Sequence, residues 1–135
     1  MDFIKVYDLT NESQFIESVQ YATLNKPNFG LKIKDSLLFG TAEWFEAIKK
    51  GKIQSFEIDG IIQKIGFSGQ NNERVEYIVK DDRTGEEITQ NVKGKRKLYQ
   101  IGKRVRMKYV IQELKKPPSK EYRFQKEFLT IEIEV

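Results

Sequence analysis

Apolar residues recur at about 3.6-residue spacing before Gly51 and at a spacing of 2 after it, and this change of period limits what the chain can build. Phe56 and Ile58 alternate in one phase and Ile61, Ile65 and Phe67 in the other, with Gly60 at the change. A glycine at a phase slip predicts a bulge or bend that lets one long strand serve two sides of a barrel. Val75, Tyr77 and Val79 line one face of a second strand, and Ile88 and Val92 mark a third. Between them, Asp81-Asp82-Arg83-Thr84-Gly85-Glu86 predicts a hairpin turn in which Gly85 supplies the positive φ. Val105, Met107, Tyr109 and Ile111 point one way along a fourth strand, and Arg104, Arg106 and Lys108 the other. After a loop holding Pro117 and Pro118, Leu129, Ile131, Ile133 and Val135 alternate with Thr130, Glu132 and Glu134 in a fifth. Five strands in the 84 residues after Gly51 predict a small closed barrel.

The residues before Gly51 read differently. Phe3 to Tyr7 predict a short strand. Asn11 reads as the N-cap of a first helix, with Gln14 completing a capping box and Phe15, Ile16, Val19 and Ala22 on one face to about Leu24. Leu31, Ile33 and Leu37 to Phe39 predict an extended segment broken at Asp35-Ser36. A second helix opens at Gly40-Thr41 and buries Trp44, Phe45 and Ile48. It carries Glu43 in its first turn, Lys49 and Lys50 in its last and Gly51 just beyond, the order that a helix dipole and a C-cap favour. The expected fold is α+β: a five-stranded antiparallel barrel over 52–135, with an N-terminal strand and two helices over 1–51 packed as a cap.

The region from Lys52 to Val135 resembles the OB-fold, through FEIDGIIQKIGF, YIVKDDRTGEE, LYQIGKRVRMKYV and FLTIEIEV. The pattern of G-x-I, then D-x-x-G, then IG before a V-x-V strand is similar to that of many single-strand-binding OB domains. The motifs point to no named family over the full chain. OB domains usually carry a helix between strands three and four, and Lys93 to Gly102 has room for one turn, so an SH3-like barrel stays open. The resemblance implies ligands across strands two and three and between the loops Ser68 to Asn72 and Lys115 to Arg123. The second loop carries Lys115, Lys116, Lys120, Tyr122 and Arg123, which suit phosphate contact and base stacking as well as they suit a solvated, proline-stiffened connection.

Ile88 to Gln112 holds eight Lys or Arg and no Asp or Glu, which predicts a positive surface. Glu132 and Glu134 are the expected cross-strand partners of Arg104, Arg106 and Lys108. Lys93, Lys95, Arg96 and Lys97 lack such partners and are the better candidates for phosphate contact, with Tyr99 as a stacking surface. Residues 1–51 carry six basic and seven acidic groups and 52–135 carry 18 and 13, so the net charge of +4 resides in the second part.

The chain has no His and no Cys, which removes the usual general base near pH 7, serine-histidine triads, thiolate zinc sites and disulfides. No P-loop occurs, since Gly51-Lys52, Gly94-Lys95 and Gly102-Lys103 lack the preceding glycine and the following hydroxyl. The spacing of Asp81, Asp82, Glu86 and Glu87 does not fit an EF-hand, and turn chemistry explains the aspartates. An enzyme would need carboxylates, Tyr or Lys assembled by folding. Residues 1–13 hold three acids and no apolar core, and no run spans a membrane, so a cytoplasmic protein is expected. These readings converge on a binding protein without catalytic activity, cofactor, metal or membrane partner, which engages single-stranded DNA or RNA through its basic loops. The alternative is a protein-interaction module whose barrel edge or helical cap meets another protein.

Overall fold

The computed structural model describes residues 2–68 and 74–135. Its elements are β1 (Phe3–Asp8), α1 (Ser13–Asn25), α2 (Ala42–Lys49), β2 (Ser55–Ser68), β3 (Arg74–Asp81), β4 (Glu87–Asn91), β5 (Arg104–Glu113) and β6 (Phe124–Glu134). The strands form one sheet in the order β1-β6-β5-β2-β3-β4. The α+β class is as expected, but the strand count is six: β1 pairs antiparallel with β6, from Phe3 opposite Glu134 to Asp8 opposite Thr130. Alternation cannot reveal that a short terminal strand supplies the neighbour of a distant one. The described residues of Met1–Asp8, Glu57–Lys108 and Thr130–Val135 make one compact unit, and Leu9–Phe56 with Tyr109–Leu129 make a second.

In the first unit, β3 buries Val75, Tyr77 and Val79 as its alternation predicts. The turn to β4 closes through Asp81 N–H to the Glu86 carbonyl at 2.8 Å and Gly85 N–H to the Asp81 carbonyl at 2.9 Å, with Gly85 at φ +75°. The Asp81 carboxylate accepts from the Asp59 N–H and from the N–H and hydroxyl of Thr84. Burial pushes its pKa up, but these hydrogen bonds outweigh that and hold it below the usual carboxylate value.

Gly60 is not the bulge. The register of β2 against β3 shifts between Ile62 and Lys64, so Ile58, Gly60 and Ile62 stay buried in one phase and the slip comes later. Glycine is needed at 60 because a Cβ there would lie 1.9 Å from the Lys80 carbonyl oxygen. Ile62, which continues the phase of Phe56 and Ile58, is fully buried at 0% exposure, whereas Phe67 of the opposite phase is 60% exposed.

In the second unit, Thr41 caps α2 by accepting from the Trp44 N–H at 3.3 Å. Gly51 at φ +80° ends it, donating to the Ile48 carbonyl while Lys52 N–H reaches that of Ala47. Trp44 and Ala47 are buried, with Phe39 4.8 Å from Trp44 between ring centroids. The expected capping box of α1 does not form: Asn11 belongs to a 3-10 turn over Leu9–Asn11, and Glu12 takes the N-cap position without a side-chain bond. Residues 31–39 form no strand. Leu31 bridges Leu114, and Asp35 and Ser36 adopt φ of 53° and 60° in a tight turn between Lys34 and Leu37.

Candidate functional site

The loop between β4 and β5 is built on Tyr99. Its hydroxyl donates to the Lys93 carbonyl at 2.6 Å and accepts from the Lys93 N–H at 3.1 Å, and its ring packs 4.9 Å from that of Tyr77. The residue is 4% exposed, and burial pushes its phenol pKa up. Tyr99 is therefore a support beneath the loop rather than an open stacking face. Lys93 lies 5.5 Å over the Tyr7 ring and Arg96 5.5 Å over the Phe67 ring, with Lys95 and Lys97 exposed beside them.

In the strand half of the basic window, Arg104 and Arg106 are paired within the first unit, though not by the expected acids, while Lys108 is exposed. Arg104 Nη1 contacts Asp59 Oδ1 and Asp82 Oδ2, each at 2.7 Å, and these hydrogen bonds, that of Asp82 foremost, push its pKa further up. Arg106 reaches Asp59 at 3.4 Å and lies 4.1 Å over Phe3. Glu134 accepts from the Arg104 backbone N–H, not from its side chain. The strand order explains the difference, because β5 has β2 as well as β6 for a neighbour.

The five residues expected in the Lys115 to Arg123 loop lie in the second unit and divide by role. Lys115 Nζ donates to the carbonyls of Thr23 and Lys26, where a cation satisfies the C-terminal end of α1. Arg123 Nε meets Glu113 Oε2 at 2.7 Å and its guanidinium lies 5.2 Å over Phe124. Lys116, Lys120 and Tyr122 are exposed. Of the other expected loop, 69–73 lie outside the described residues.

The sequence reading missed a groove of about 710 Å³ in this second unit. Its apolar wall includes Ile33, Trp44, Phe56, Ile111 and Phe124, drawn from five separate stretches of chain. Lys32, Lys34 and Lys52 stand at its lip with Asp35 and Glu113. Glu113 takes Lys32 at 2.8 Å and Arg123 at 2.7 Å, and those bonds hold its carboxyl below the usual range. Lys34, Lys52 and Asp35 make no ion pair among the described residues, and with three lysines to two carboxylates the lip keeps a net positive charge. In the same unit Glu127 is buried on β6, and desolvation raises its pKa from 4.5 to about 7.

No curated protein matches this chain. The family model described as Immunity protein RhsI2 matches residues 4–135. This match overturns the expectation that no named family spans the chain, and with it the reading as a single-stranded nucleic-acid binder. The protein-interaction alternative agrees with an immunity family. On a match from residue 4 to residue 135, the chain belongs to the Immunity protein RhsI2 family.

Proposed function

We propose that this protein neutralises a toxin by binding it directly, as a stoichiometric inhibitor without catalytic activity of its own. The observation that carries the reading is membership of an immunity family over residues 4–135. The residue inventory supports it: with no His and no Cys, the chain lacks the side chains that most often destroy or modify a substrate near neutral pH. The net charge of +4 is modest, and Arg104, Arg106, Lys115 and Arg123 are engaged in internal contacts, which also suits a protein partner better than a polyphosphate one.

Co-expression with candidate toxin domains tests this reading. Protection of the host from one toxin, together with recovery of both chains as one species on size exclusion, is the expected result. Protection without a complex, or no protection from any toxin associated with the family, would overturn it.

A further inference from the structure

The groove of the second unit combines three properties that a protein-docking site needs. Its apolar wall is open: Ile33 is 47% exposed, Ile111 41% and Phe124 52%. These are large apolar groups facing one depression rather than scattered singly over the surface, and grouped exposure of this kind marks interaction sites. Its geometry is held in place: Lys32 N–H donates to the Glu113 carbonyl at 2.9 Å, the Leu31 to Leu114 bridge lies beside it, and Phe56 stacks on Tyr109 at 5.5 Å. An aromatic with an arginine over it, as Phe124 has Arg123, belongs to the residue types that dominate binding energy at interfaces.

Charge selects the occupant. Glu113 is saturated by Lys32 and Arg123, while Lys34 and Lys52 at the lip make no ion pair among the described residues and outnumber Asp35, the other unpaired charge of the lining. A partner segment that fills the apolar wall and leaves these two ammonium groups unmatched forgoes the attraction that sets register and association rate, so the complementary segment carries carboxylates. We propose that the groove receives an acidic segment of the toxin, an apolar side chain entering against Ile111 and Phe124 while flanking carboxylates meet Lys34 and Lys52. This rests on the toxin-binding reading above and adds to it the surface and the partner's chemistry.

The test uses the full-length protein and an inactivated form of the toxin domain from which it protects cells, with affinity measured by calorimetry. Lys34→Glu/Lys52→Glu and Phe124→Asp are the groove variants; Lys95→Glu/Lys97→Glu, in the first unit, is the control. All sit at exposed positions, and thermal melts check that each variant is folded. The groove variants should weaken binding by about tenfold or more, and the control by less than about threefold. The single tryptophan, Trp44, lies in the groove wall at 2% exposure, so binding should also change its fluorescence, and a change lost in Phe124→Asp places the toxin there. Wild-type affinity in folded groove variants overturns the groove assignment and leaves the toxin reading standing. If the groove variants instead abolish only self-association of this protein, the occupant is a second copy and the proposal fails. A wild-type protein that binds no toxin ends both readings together.

Discussion

Replacing Glu127 by Gln should stabilise the protein at pH 8 and leave it nearly unchanged at pH 4. The side chain points to the same face of β6 as Leu129, Ile131 and Ile133 and is 8% exposed, so its charged form is poorly solvated. Burial raises its pKa from 4.5 to about 7. The folded protein therefore holds a proton that the unfolded chain releases more readily. The contribution of Glu127 to stability is greatest below pH 4.5, falls as pH rises from there to about 7, and is flat above. At 1.36 kcal/mol per pKa unit, the shift corresponds to about 3 kcal/mol. The glutamine amide keeps the shape without the ionisation, so the variant should lose the slope and gain up to that amount at pH 8. Urea titrations followed by Trp44 fluorescence at pH 4, 6 and 8 give both curves. A wild-type midpoint that rises between pH 5 and 7, or a glutamine variant less stable than wild type at pH 8, would refute the reasoning.

Three further outcomes follow from the same contacts. Tyr77 Oη is buried with no hydrogen-bond partner among the described residues, so Tyr77→Phe should leave stability unchanged or raise it by about 1 kcal/mol in chemical denaturation; a loss above that would reveal a bond to the hydroxyl. Gly60→Ala drives a methyl into the Lys80 carbonyl and should cost about 3 kcal/mol or prevent folding, whereas Gly66→Ala, with nothing within 4 Å, should cost under about 1 kcal/mol on thermal melting. Thr41→Ala removes the acceptor for the Trp44 N–H and should cost about 1 kcal/mol, largely restored by Thr41→Ser.

Local rules were readable from the residues wherever they acted alone. The alternation of β3 and β6, the Asp81 to Glu86 turn and the two ends of α2 each depend on neighbours within a few positions, and each appears as expected. Failures came where a distant segment intervened. Gly60 is required by the Lys80 backbone 20 residues away, not by a local bend. Arg104 turns to Asp59 and Asp82 rather than to Glu132 or Glu134, a choice set by which strands flank β5. The groove was invisible for the same reason, since Ile33, Trp44, Ile111 and Phe124 share no period or motif. The basic window misled on function because an excess of lysine and arginine suits an acidic protein surface as well as a phosphate backbone.

Inhibition by direct, stoichiometric binding is tested by a titration of active toxin with this protein at concentrations well above the dissociation constant. Toxin activity should fall linearly and end at one equivalent, with the same equivalence point in calorimetry. Full inhibition by a small fraction of an equivalent would make the protein a catalyst, and activity that persists in excess would mean that it does not neutralise the toxin by binding.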